Sequence, residues 1–196
     1  MTAAAAATDL ATVVGGLREI TVEVHAGAQG GGSGFIWSPD GLVVTSAHVI
    51  LGPRGVRGDP YVVLTDRRRL PAELVECDRQ LDLALLHVDA HDLPAAVLGN
   101  PDQLRPGALV LAVGHPFGLS GAVVMGVVHA APDRARRDGP AWIQADMRLA
   151  PGNSGGPLAD AQGLVVGINA MIAGGLALAV PSPTIQEFVM RTGKSS

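Results

Sequence analysis

From Ile20 to Val180 the chain reads as short apolar runs of strand length, separated by glycine- and proline-rich turns, with no helical period between them. That pattern excludes a doubly wound parallel sheet, in which a helix follows nearly every strand. Glycines number 26 and prolines 14 in the 196 residues, whereas aromatics make up only 3%, so Val, Leu, Ile and Ala must build the core. Apolar residues at 47% and charged residues at 16% also exclude intrinsic disorder.

In the first hundred residues, strands are predicted around Ile20–Val24, Phe35–Trp37, Leu42–Thr45, Tyr61–Leu64, Leu74–Cys77 and Leu83–Val88. The turn-forming run Ser38-Pro39-Asp40-Gly41 joins the second and third as a hairpin. Residues 99–107 read as a linker. A second series follows at Ala108–Val113, Ala122–Val128, Trp142–Ala145, Leu164–Asn169 and Leu176–Val180. The economical reading is two all-β units of about 80 residues each. A closing helix is predicted over 183–191, with Ser182 or Thr184 as its cap, Pro183 in its first turn, and Ile185, Phe188 and Val189 on its apolar face. At the other end, Leu10, Val13, Val14 and Leu17 recur at helical spacing and predict a short helix before the Gly15-Gly16 break. The alanine-rich residues 1–8 read as a disordered tail, and 191–196 as a second tail.

A net charge of −4 weighs against nucleic acid as the partner. No apolar stretch approaches the length of a membrane span. The start, MTAAAAATDL, has neither a basic segment nor a leucine-rich one, so it does not read as a signal peptide. The expected compartment is the cytoplasm if the chain is native as given, and the periplasm or another extracytoplasmic space if an export segment was removed. Cys77 is the one cysteine, which rules out an internal disulfide.

Three segments carry chemistry. Thr45-Ser46-Ala47-His48-Val49 follows a strand, Leu81–Leu86 contains Asp82, and Pro151-Gly152-Asn153-Ser154-Gly155-Gly156-Pro157-Leu158 sets a serine among glycines. A serine hydroxyl is a poor nucleophile at neutral pH. It needs a neutral imidazole within hydrogen-bond reach, and that imidazole needs a partner to fix its tautomer. His48, Asp82 and Ser154 can supply these parts. The glycines let backbone N–H groups turn towards a developing oxyanion, with no Cβ in the substrate's path. The N–H groups of Gly152 and Ser154 are the expected donors, with Asn153 between them.

Gly152–Gly156 also satisfies the G-x-S-x-G elbow of α/β-hydrolases. That elbow requires a helix after the serine and a later histidine. Pro157, a turn at Asp160–Gly163 and a strand follow instead, and no histidine lies after Ser154. The order His, Asp, Ser is that of the chymotrypsin arrangement.

On these residues the chain resembles the trypsin-like protease domain of the HtrA (Deg) serine proteases. Further matching pieces are Gly32-Ser33-Gly34-Phe35-Ile36, Asp40–Val49, Gly114-His115-Pro116-Phe117-Gly118-Leu119, Val166-Gly167-Ile168-Asn169 and Ala179-Val180-Pro181-Ser182. The resemblance implies an all-β fold of two six-stranded antiparallel β-barrels with short N- and C-terminal helices. The protease domain would cover 9–190, its barrels falling at about 18–100 and 105–182, with the triad in the cleft between them. It implies His48 as general base, Asp82 as its orienter and Ser154 as nucleophile. The oxyanion hole would come from Gly152, Asn153 and Ser154, and no cofactor or metal is implied.

Leu149, Asn169, Ala170, Met171 and Ala177 would wall the substrate pocket, which suits a small or medium apolar side chain before the scissile bond. The implied activity is that of a serine endopeptidase working through an acyl-enzyme, in protein quality control, on unfolded or damaged polypeptides. The alternative is a chaperone or binding module with its triad at rest, governed by the loops Arg134–Gly139 and Met171–Gly175. A homo-oligomer is also implied, a trimer in the family, although no aromatic residue precedes Phe35 to build the usual trimer contact. Most family members continue into one or two PDZ domains. His115 stands where the family commonly has Asn, and Asp146-Met147-Arg148-Leu149-Ala150 replaces an alanine-rich segment. Arg148 is expected to face solvent or to pair with Asp146; turned inward, it would favour an acidic side chain.

Other features have plainer readings. His87 and His91 have the spacing of a helical zinc pair, but His87 ends a strand, so both read as turn histidines. Cys77 lies between Glu76 and Asp78, which blunt thiolate formation, and reads as structural. Gly30-Gly31-Gly32-Ser33-Gly34 lacks the helix and Lys-Ser/Thr pair of a phosphate loop and reads as a flexible surface loop. Arg67–Arg69 and the Arg134, Arg136 and Arg137 cluster read as solvated loops.

Overall fold

The computed structural model describes residues 3–27, 31–53, 55–132 and 141–192. Gly30, the Arg134, Arg136 and Arg137 cluster with its 134–139 loop, and residues 193–196 lie outside them. Helix α1 (Ala3–Ile20) opens the chain. It runs through Gly15-Gly16 instead of ending there, and it takes in most of the expected alanine tail. Alanine is the best helix former, while a mid-helix glycine costs only about 1 kcal/mol. Docking of Leu10, Val13, Val14 and Leu17 on the apolar layer between the barrels offsets that cost.

The first barrel contains β1 (Thr21–Ala26), β2 (Gly31–Ile36) and β3 (Leu42–Ser46). Next come the one-turn helix α2 (Ala47–Ile50) and a two-stranded ribbon of β4 (Leu51–Gly52) and β5 (Gly55–Val56). The barrel is completed by β6 (Pro60–Val63), β7 (Arg69–Asp78) and β8 (Leu83–Val88), and closes antiparallel in the order β1-β2-β3-β8-β7-β6. The second contains β9 (Leu109–Gly114), β10 (Ala122–Ala130), β11 (Ile143–Asp146), β12 (Pro157–Asp160), β13 (Val165–Ala173) and β14 (Leu176–Pro181). It closes antiparallel in the order β10-β11-β14-β13-β12-β9. Helix α3 (Ser182–Thr192) follows. No helix among the described residues is long and apolar enough to cross a membrane.

Strand alternation explains the core. On β2 and β3, Ile36 and Val43 face into the first barrel, while their neighbours Phe35 and Val44 face outward. These outward residues meet Leu111, Val113 and Ile168 of the second barrel, together with Ile185 and Phe188 of α3. One apolar layer therefore welds the barrels and helices together. A separate cluster around Val110, Ile143 and Leu158 fills the second barrel.

The glycine run expected as a surface loop forms β2 from Gly31 onward, and its residues 32–36 are buried. A Cβ on Gly32 would lie 2.6 Å from Val49 Cγ2 and 2.9 Å from the Ser154 carbonyl oxygen. Glycine serves here for close approach between the barrels, not for flexibility. The Gly174-Gly175 pair has φ of +60° and +82°, and makes the tight turn between β13 and β14.

Candidate active site

β3 ends at Ser46 and the chain turns at once into α2, which carries His48. Ser46 is the register partner of Leu83, so Asp82 arrives at the same barrel end. Asp82 adopts φ +55°, a left-handed conformation that aspartate tolerates. The Ala47 N–H donates to the Asp82 backbone carbonyl at 3.1 Å. The carboxylate meets His48 twice: Oδ1 accepts from the His48 backbone N–H at 3.0 Å, and Oδ2 lies 2.7 Å from Nδ1. The second contact puts the proton on Nδ1 and leaves the Nε2 lone pair free to act as a base. The His48 side chain is 51% exposed and that of Asp82 15%, so the imidazole can be reached while the carboxylate is shielded.

Ser154 sits in the loop between β11 and β12. Turn bonds and one bond to β13 fix this loop: Asn153 N–H to Ala150 O at 3.0 Å, Gly156 N–H to Asn153 O at 3.1 Å, and Gly155 N–H to Asn169 O at 2.8 Å. The N–H groups of Gly152 and Ser154 have no acceptor among the described residues, which leaves them available to an oxyanion. Asn153, counted with them from the sequence, has spent its N–H on Ala150 and cannot donate. The Ser154 hydroxyl donates to the Ala170 carbonyl at 3.4 Å, and His48 Nε2 has no hydrogen-bond partner among the described residues.

Beside Ser154 lies a pocket of about 310 Å³, lined by Leu149, Ala150, Pro151, Ala170, Met171 and Ile172. No lining residue is charged among the described residues. Asn169 and Ala177, expected in its walls, lie elsewhere. Asn169 is buried, and its Nδ2 donates to the Gly156 and Pro157 carbonyls at 3.0 and 3.1 Å, bracing the nucleophile loop from below. Ala177 is buried in the second-barrel core. The cause is a register shift on β13 between Asn169 and Met171. It turns Asn169 away and leaves residues 170–172 on the rim. Arg148 is exposed, outside the pocket lining, and unpaired with Asp146 among the described residues.

Ser33 on β2 carries no local motif that marks a role. It is fully buried, and its N–H donates to the Ser154 carbonyl at 2.8 Å. Its hydroxyl donates to the Gly152 carbonyl at 2.6 Å and accepts from the His115 N–H at 2.9 Å. Burial holds His115 below the ordinary histidine value; Glu23 opposes this and His25 adds to it. Among the described residues, no three His, Cys, Asp or Glu side chains cluster closely enough to hold a metal.

Two antiparallel barrels with a histidine–carboxylate pair on one and a glycine-bound serine on the other define a chymotrypsin-type domain. A family model described as "Trypsin-like peptidase domain" matches residues 32–168. The chain belongs to the trypsin-like peptidase family, in its HtrA/Deg branch. A probable periplasmic serine endoprotease DegP-like of Marinomonas sp. is 44% identical over 165 residues, covering 81% of this chain and 34% of that protein. The putative serine protease HhoB of Synechocystis sp. is 40% identical over 170 residues, covering 81% and 39%. The solved structure of the HtrA-type protease AlgW with a tripeptide superposes with a TM-score of 0.83 at 33% identity, covering 92% of this chain and 62% of that one. The chain thus spans a little over a third of the length of these curated relatives.

Proposed function

We propose that this chain is a serine endopeptidase domain that hydrolyses peptide bonds through an acyl-enzyme on Ser154. The observation that carries the reading is the Asp82 carboxylate bonded to the His48 backbone N–H and to its ring Nδ1, on the barrel that faces the serine loop with its two unspent N–H groups. His48 Nε2 takes the Ser154 proton as Oγ attacks the carbonyl carbon. The oxyanion forms between the N–H groups of Gly152 and Ser154, each worth about 2.7–4 kcal/mol of transition-state stabilisation. His48 then protonates the leaving amine, and water repeats the sequence to release the acyl group.

The uncharged pocket favours Val, Ala or Leu before the scissile bond. Unfolded or damaged polypeptides are the substrates this reading assigns, within protein quality control. Names of relatives as serine proteases favour hydrolysis over a binding module at rest, and the description of the DegP-like ones as periplasmic favours export over the cytoplasm. Cleavage-site mapping on a reduced, unfolded protein tests the reading. Cuts after Val, Ala or Leu, absent with Ser154→Ala, are expected. Equal or better cleavage after Glu would overturn the pocket assignment, and cuts that persist in Ser154→Ala would overturn the mechanism.

A further inference from the structure

A second cavity, of about 260 Å³, shares Pro151 as a wall with the apolar pocket. Glu23, His25, His115 and Phe117 line it, together with Gly152 and the glycine backbone of β2. The apolar pocket contains Ser154 and Ala170, whereas this cavity contains Gly152 and the first-barrel strand facing it. An extended substrate that places one side chain in the apolar pocket continues past Gly152 with the residues that follow the scissile bond. Successive side chains of an extended chain point in opposite directions, so one of the first two such residues is presented to the cavity.

The charge of the cavity is simple. Among the described residues, Glu23 is the one acid in the lining, and none is Lys or Arg. With both imidazoles neutral the described lining carries a single negative charge. Glu23 Oε2 lies 3.1 Å from His25 Nε2, within hydrogen-bond distance. Glu23 Oε1 lies 3.9 Å from His115 Nε2, beyond it, and accepts from no donor among the described residues. One carboxylate oxygen is thus left to receive a donor from outside. The Phe117 ring is 76% exposed, and its residue sits at φ +53°, a conformation that bulky side chains rarely adopt. Such strain concentrates at binding sites. An exposed ring beside a carboxylate suits the aliphatic stem and cationic head of a long basic side chain.

We propose that this cavity is a substrate subsite for Lys or Arg at one of the first two positions after the scissile bond, with Glu23 as its recognition group. The assignment rests on the peptidase reading above. It carries a built-in pH response. Protonation of an imidazole offsets the Glu23 charge and weakens the hold on the basic side chain, and burial of His115 moves its part of this effect to lower pH. The groups facing these imidazoles are Glu23 on β1, Ser33 on β2, and Tyr61 on β6, whose ring stacks on His25 at 4.7 Å. Arg69 on β7 lies 3.6 Å from the Tyr61 ring.

The test uses quenched fluorescent peptides with Val before the scissile bond and Lys, Arg, Leu or Glu at each of the next two positions. At pH 8, kcat/KM for Lys or Arg should exceed that for Glu by about tenfold or more at one position, the scale of a charge-assisted hydrogen bond. The ratio should fall towards one in Glu23→Gln and shrink as pH is lowered. Taking ratios between substrates cancels the titration of His48. The same peptides are titrated against Ser154→Ala by fluorescence anisotropy, which reads the subsite without catalysis. A Lys-over-Glu preference in binding, with no hydrolysis by the wild type, would uphold the subsite and overturn the peptidase reading. Equal handling of Lys and Glu by the wild type in both assays, or a ratio unchanged in Glu23→Gln, would overturn the subsite.

Discussion

The Ser33 hydroxyl lies 2.6 Å from the Gly152 carbonyl oxygen, and the same residue's N–H donates to the Ser154 carbonyl at 2.8 Å. A single residue of the first barrel therefore grips the second barrel's nucleophile loop on both sides of the serine. Pinning the Gly152 carbonyl fixes the backbone that aims the Gly152 N–H. Ser33→Ala is expected to lower kcat by about tenfold or more with KM little changed, because the oxyanion donor is displaced and substrate contacts are kept. Affinity for a peptide boronic acid, which fills the oxyanion hole, should fall in parallel. A change confined to KM would count against this role.

Asp82 accepts from both nitrogens of His48 that face it. Asp82→Asn presents an N–H where an acceptor is needed and favours the wrong imidazole tautomer. A loss of roughly 10⁴-fold in kcat is expected, with the melting temperature near that of the wild type. Steady-state kinetics beside a thermal melt decide the point.

Gly155 has φ +84°, and a Cβ there would lie 2.1 Å from the Ser33 carbonyl oxygen. Gly155→Ala should cost roughly 3 kcal/mol in urea unfolding, since the collision is with backbone that cannot yield. Gly107 has a similar φ of +86° but open space around it, so Gly107→Ala should cost only about 1–2 kcal/mol of conformational strain. Equal losses at the two sites would contradict the close barrel contact.

His115 ionises below the ordinary value of 6.5 because burial disfavours the imidazolium. As pH falls through about 6.5 the unfolded chain takes up this proton, while the folded chain does so only at lower pH. Between the two the unfolded state binds more protons, so stability falls with pH. Melting temperatures from pH 8 to 5 should show a drop beginning near 6.5 that is shallower in His115→Asn. Parallel curves for the two proteins would contradict the burial account.

Much of this was legible in the sequence, for identifiable reasons. The barrel strands announce themselves by apolar runs between Gly and Pro turns, and the His–Asp–Ser parts by their local motifs. β12 was missed because it is four residues long and starts at Pro157, inside the serine motif. Asn169 and Ala177 were misplaced because a register shift on β13 is invisible to a count of alternation. Ser33 and the nearness of Glu23 to His115 escaped notice because their meaning lies in the approach of two barrels whose residues are 82 positions or more apart.

The central claim is an activated Ser154 beside a formed oxyanion hole. Intact-mass analysis after treatment with a fluorophosphonate tests it most directly, on the wild type and on Ser154→Ala. One adduct on the wild type and none on the variant is the predicted result. An unlabelled wild type, or equal labelling of both proteins, would contradict it.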